Sequence, residues 1–172
     1  CVERFQAAGE PDRKVEALQR LTMLRPDRVE TSLELAQAYL ECGRLEEAEV
    51  QFRAVLKLDL DSTEALLSLA ETCRLQGKFR NGMLALNRLL QLHPESAEGH
   101  CRMGELHAGM GDLEKAKPAF EKAARIFLDE GRTDQAIEAY RGLLKMDPSD
   151  SSATNGLLGL GVEPTVPRED CV

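Results

Sequence analysis

Apolar residues return along this chain at spacings of three and four, the mark of helices with one buried stripe. In residues 29 to 42 the stripe is Val29, Leu33, Leu35, Ala36, Tyr39 and Leu40, and in 45 to 58 it is Leu45, Ala48, Phe52, Val55, Leu56 and Leu58. No stretch alternates with the period of two that a half-buried strand requires. The pattern predicts helices of about a dozen residues, each too short to stand alone in water.

The helices are metered. Gly9, Gly43, Gly77 and Gly111 lie 34 residues apart, and Gly131 follows Gly111 by only 20. Other positions keep the same interval: Pro26, Leu60, Pro94 and Leu128; Leu18, Phe52, Leu86 and Phe120; Ala36, Ala70 and Gly104. A fixed period of this length is the signature of stacked supersecondary units. Each unit reads as two helices, the first stopped by a glycine that can adopt a left-handed backbone, the second stopped at "LD", "HP" or "DP". The small residues at 36, 70 and 104 face Ala48, Gly82 and Ala116 on the partner helix and permit close approach.

These positions resemble the tetratricopeptide repeat. Residues 29–62 supply Leu35, Ala36, Tyr39, Gly43, Ala48 and Phe52; residues 63–96 supply Leu66, Leu69, Ala70, Gly77 and Pro94; residues 97–130 supply Met103, Gly104, Gly111, Ala116, Phe120 and Ala123. Departures include Cys73, His100 and His107 at aromatic positions, Gly82 for alanine, and Lys14 at the small position of the first unit, where its stem must snorkel. The resemblance implies an all-α fold, a right-handed α-solenoid of antiparallel helix pairs forming a superhelix. The array is expected over residues 1–148, in units of about 1–28, 29–62, 63–96 and 97–130.

The short interval before Gly131 implies an offset last hairpin, 117–150, that shares a helix with the unit before it; the alternative is an unusual second helix followed by one extra helix, 133–146. Residues 112–129 satisfy both grammars, and Pro118 within them predicts a bend near Lys115 to Pro118, where one backbone hydrogen bond is lost. Residues 149–172 read as a weak capping helix and a tail containing glycine and proline. At the other end "VERFQAAGE" parallels "ARIFLDEGR", so the chain opens within a helical phrase, as a fragment would.

Composition narrows the function. Of 172 residues, 42% are hydrophobic and the formal charge is −8, without a lysine or arginine cluster, which disfavours nucleic acid as a partner and with it an RNA-binding helical repeat. No apolar run is long enough to span a membrane. Neither a nucleophile elbow, a phosphate loop nor a zinc motif occurs, so no enzyme activity, cofactor or metal is expected. His93, His100 and His107 are seven apart, about 10 Å along a helix, too far to share an ion. Five cysteines without a CxxC pair suit reduced thiols in the cytoplasm; a lipid anchor on Cys1 is the alternative localisation.

What remains is a protein–protein interaction scaffold. The resemblance implies that first helices line a concave groove, here Glu30, Leu33, Glu34, Gln37, Leu40 and Glu41, then Glu64, Leu67, Glu71, Arg74 and Leu75, then Cys101, Arg102 and Glu105. Such a groove offers apolar anchors beside acidic rows and suits a basic or amphipathic protein or peptide segment. Glu30, Glu64 and Glu98 also sit where a helix N-terminus favours acids. The family's carboxylate clamp for acidic chaperone tails needs basic and asparagine residues where this chain has Leu33 and Gln37, Leu67 and Glu71, Cys101 and Glu105, so that partner is disfavoured. The alternative reading is a structural spacer or self-association segment of a longer repeat protein.

Overall fold

The computed structural model describes the backbone of residues 2–164 and the side chains of residues 12–164. Nine helices and no strand occur among them: α1 (Val2–Leu24), α2 (Val29–Glu41), α3 (Leu45–Leu58), α4 (Thr63–Leu75), α5 (Phe79–Leu92), α6 (Ala97–Gly109), α7 (Leu113–Asp129), α8 (Thr133–Met146) and α9 (Ser151–Gly159). The chain divides into two compact units, Cys1–Leu89 and Leu90–Val172.

One turn is used repeatedly. Gly43, Gly77, Gly111 and Gly131 all have φ between 71° and 75°, a conformation that costs a side-chain-bearing residue and not glycine. After each glycine the next N–H donates to the carbonyl five residues earlier: Arg44 to Tyr39, Lys78 to Cys73, Asp112 to His107 and Arg132 to Phe127. These bonds satisfy carbonyls that a helix end would leave orphaned. Two turns gain a further contact, because Arg44 and Arg132 lie 4.7 Å from the ring centroids of Tyr39 and Phe127. Side chains close the opposite helix ends: Ser62, Ser96, Asp112 and Asp150 accept the N–H of Ala65, Gly99, Lys115 and Ala153.

Gly9 keeps the interval and not the turn. α1 runs unbroken through it, so residues 1–28 contribute one helix where a pair was expected. The expectation weighed the glycine alone, whereas the turns at 43, 77 and 111 also carry a helix C-terminus with a closing hydrogen bond. The Cys1 anchor lies outside the described residues. Lys14, expected to snorkel, extends instead to Glu41, with 3.0 Å between Nζ and Oε2 and both side chains more than half exposed.

In the first unit α2 packs on α1, α3 and α4, and α3 on α4. Its core is Leu35, Ala36, Tyr39, Ala48, Phe52, Val55, Leu66, Leu69, Ala70, Cys73, Leu86 and Leu89, all buried. The small residues do what their spacing suggested: Ala36, Ala48 and Ala70 are at most 1% exposed. In the second unit α7 packs on both α6 and α8, and α8 on α9. Pro118 lies on the exposed side of α7, which continues through it for eleven more residues to Asp129. The core there centres on Phe120, Ala123, Ala124, Phe127, Leu143, Leu144 and Leu157.

Candidate functional site

The expected groove residues fall on α2, α4 and α6, as the repeat spacing required. Within the first unit, α2 and α4 lie side by side, and the Gln37 amide donates to the Glu64 carboxylate across them. Together these two helices carry five glutamates and one arginine. Their surface mixes the acids with partly exposed Leu33, Leu40 and Leu67, and with Leu75, which is 48% exposed. An acidic face with apolar footholds is therefore present on this pair.

Some of the expected residues have partners that the sequence did not show. Arg74, three residues on from Glu71, donates to it through Nε and one Nη at 2.8 and 2.7 Å. In the second unit Arg102 donates from Nη1 to Glu105 at 2.8 Å. Both acids sit on partly buried surface, each with an arginine of its own helix as partner. Cys101 is partly buried and packs against the apolar cluster of the second unit, and burial, with Glu105 adding to it, pushes its thiol up to about 12. Sequence position could name the helix face but not the rotamers that pair one side chain with the next.

The histidines take structural places. His107 is 7% exposed at the aromatic position of its turn, with Nδ1 3.8 Å from Asp112. His100 donates from Nε2 to the Pro94 carbonyl at 2.8 Å, which fixes that tautomer because a carbonyl only accepts. Among the described residues no group of three His, Cys, Asp or Glu could hold a metal ion.

Sequence reasoning missed two buried carboxylates. Glu49 on α3 receives Arg53 at 2.8 Å and Lys78 at 2.7 Å. The hydrogen bond from Lys78, against desolvation and with help from Arg53, holds its carboxyl below the usual range. Asp150 caps α9 and accepts Lys117 Nζ at 2.5 Å, tying α7 to the start of α9. Burial opposes ionisation of Asp150, yet Lys117 and the Ala153 N–H overcome it, so this carboxyl too stays below its ordinary value. The "DPSD" phrase carried the cap signal; the lysine partner 33 residues away carried none.

Comparison with known proteins fits this architecture. Three family models described as tetratricopeptide repeat match residues 5–73, 97–127 and 122–161. Their overlap falls on α7, the helix that packs on both neighbours. A comparison with curated proteins finds no match. Among solved structures, the chain is similar to MamA, at 21% identity with a TM-score of 0.63, covering 87% of this chain and 95% of that one. A thermophilic TPR protein of Thermus thermophilus matches at 19% identity and a TM-score of 0.59, covering 90% and 94%. YrrB, described as a TPR protein with an unusual peptide-binding site, matches at 15% identity and a TM-score of 0.55, covering 89% and 86%. With its metered glycine turns, its paired helices and three repeat models spread along its length, the chain belongs to the tetratricopeptide repeat family.

Proposed function

We propose that this chain is a non-catalytic scaffold that holds a protein segment against its first-helix face, in the concave groove of the repeat array. The observation that carries the reading is the pair α2 and α4, whose five glutamates and one arginine share a surface with partly exposed Leu33, Leu40 and Leu67 and with exposed Leu75. Leucines left at the surface between acids are a cost to solubility unless something covers them. The fitting partner is a basic or amphipathic segment whose apolar side chains meet the leucines and whose lysines or arginines meet Glu30, Glu34 and Glu64. That Glu71 and Glu105 are engaged by arginines shifts the steering role to these other acids. No described helix is long and apolar enough to cross a membrane; the cytoplasmic setting belongs to the proposal and rests on reading the cysteines as reduced thiols.

The test is co-purification on the whole chain, with mass spectrometry to identify what binds, followed by Leu33→Ala with Leu67→Ala. The expected result is one dominant partner whose retention the double substitution lowers about tenfold or more. A partner retained equally by the substituted chain places the contact elsewhere. Capture of the chain by a second copy of itself through the same leucines would establish self-association instead.

A further inference from the structure

The opposite layer of the first unit has the opposite chemistry. Between α3 and α5 lies a cleft of about 300 Å³, floored by Leu66 and Leu69 of α4 and walled by Leu56, Leu60, Leu84 and Ala85. Its floor is buried, but Leu60 and Leu84 on the walls are 59% and 70% exposed. Arg53 and Arg88 stand at its margins. An apolar slot with solvent-exposed leucines on its rim is incompletely buried by its own chain.

Charge distinguishes the slot from an ordinary gap between helices. α5, "FRNGMLALNRLLQL", carries Arg80 and Arg88 and no acid, and among the described helices it is the one with basic residues and no acidic ones. Arg80, Leu84 and Arg88 are four residues apart and so share a stripe, with the exposed leucine between two guanidinium groups. This occurs in a chain whose formal charge is −8. The acids nearby do not cancel it. Arg53 engages Glu49, but Glu49 is shared with Lys78, so two cations face one carboxylate. Arg88 gives one Nη to Asp61 at 2.8 Å, and a guanidinium has five N–H donors. The remaining forks of Arg53 and Arg88 can meet a further carboxylate.

We propose that the cleft between α3 and α5 is a second docking site, which takes an amphipathic helical protein segment with leucine-like anchors and an acidic flank. The occupant's apolar side chains, three or four residues apart, enter between Leu60 and Leu84 and reach Leu66 and Leu69. Its glutamates or aspartates pair with Arg53 and Arg88 and pass near Arg80. The site differs in sign from the acidic first-helix face, so one scaffold can hold two segments of opposite charge without competition between them. A flat anionic membrane would satisfy the arginines and leave the slot between Leu60 and Leu84 unfilled.

The experiment uses the whole chain and two labelled helical peptides that share leucines at i, i+3 and i+7, one flanked by glutamates and the other by lysines in the same places. Fluorescence anisotropy on the Leu33→Ala with Leu67→Ala chain, in which the first-helix face is disabled, should at low salt show the acidic peptide binding about tenfold or more tighter than the basic one, with the difference shrinking as salt rises. Leu84→Ala should weaken the acidic peptide by about tenfold. It should leave the circular dichroism and melting temperature unchanged, because Leu84 is 70% exposed. Arg53→Glu with Arg88→Glu should reverse the preference; if that pair perturbs folding through Glu49, Arg88→Glu alone should still narrow it. Leu33→Ala with Leu67→Ala should leave binding of the acidic peptide unchanged. Equal binding of the two peptides by the Leu33→Ala with Leu67→Ala chain overturns the proposal, as does loss of the acidic peptide on changing Leu33 and Leu67. So does binding confined to phosphatidylglycerol vesicles and dependent on Leu84, which makes the surface a membrane contact.

Discussion

The ring of Phe120 occupies the space that a methyl group on Gly104 would fill: a Cβ built on Gly104 would lie 2.8 Å from the ring. A Cβ on Gly142, from α8, would lie 3.0 Å from the same ring, so one phenyl group is seated between two glycines of different helices. This is how α7 can pack on α6 and α8 at once. The ring replaces side-chain volume on both partners.

Alanine in a helix interior is ordinarily better than glycine by roughly 0.5–1 kcal/mol. Here the sign should reverse. Gly104→Ala is expected to destabilise by about 1–3 kcal/mol, the range for overpacking a filled core, and Gly142→Ala by less, since its contact is looser. Phe120→Leu combined with Gly104→Ala should recover part of the loss, because the smaller side chain vacates the site. Urea denaturation of these three variants and of Phe120→Leu alone measures this. Additive effects in the pair would show that the ring is not the obstacle.

The turn glycines should behave by a different mechanism. Nothing lies within 4 Å of a Cβ built on Gly43, Gly77, Gly111 or Gly131, so space is not limiting there. Their positive φ is the constraint, and an alanine in the left-handed region costs about 1–2 kcal/mol. Gly131→Ala should therefore lower stability by about that amount, and Gly131→Asn by less, since asparagine tolerates this region better. Equal losses for alanine and asparagine would point to a steric cause instead.

This pair of glycine classes shows what was legible in the sequence. The interval of 34 located the turns at 43, 77 and 111, and the shorter step located the one at 131, because a left-handed helix end has a chemical signature in one residue. Gly9 shows the limit: the same residue on the same beat lies inside α1, since a glycine permits a turn and does not impose one. The acidic character of the first-helix face was legible too, from composition. The engagement of Glu71 by Arg74 and of Glu105 by Arg102 was not, although their spacing of three hinted at it. The cleft beside α5 escaped because a period search asks which helix face repeats, and the basic stripe of Arg80, Leu84 and Arg88 occurs on one helix only.

Asp150 gives a pH dependence with a definite sign. Its folded pKa is depressed, so its contribution to stability is complete above the unfolded value of about 4 and is lost as pH falls through the lower folded value. Acid should then release the start of α9 from Lys117, with loss of protection at the amides of Ala153 and Thr154, while the turns at Gly43 and Gly77 hold. Asp150→Asn keeps an N-cap oxygen and removes the charge, so it should reproduce the acid effect at neutral pH without abolishing the helix. Protection factors at those amides that stay constant as pH is lowered until the rest of the chain unfolds would rule out the latch.

Cys101 supplies the sharpest test of the groove boundary. The sequence put it in line with Leu33 and Leu67, where a ligand would touch it; the structure packs it on the core of the second unit and pushes its thiol up to about 12. Nucleophilic attack needs the thiolate, and at pH 8 a thiol of that kind is ionised in only about one molecule in ten thousand. Cys73 is wholly buried, and desolvation raises its thiol as well. Cys42, by contrast, is partly exposed at the end of α2. Iodoacetamide on the folded chain at pH 8 should therefore label Cys42 within minutes and spare Cys73 and Cys101 until denaturant is added, with peptide mapping to assign each site. Labelling of Cys101 at the pace of Cys42 would mean that α6 opens this side chain to solvent, and would return the residue to the partner-binding face.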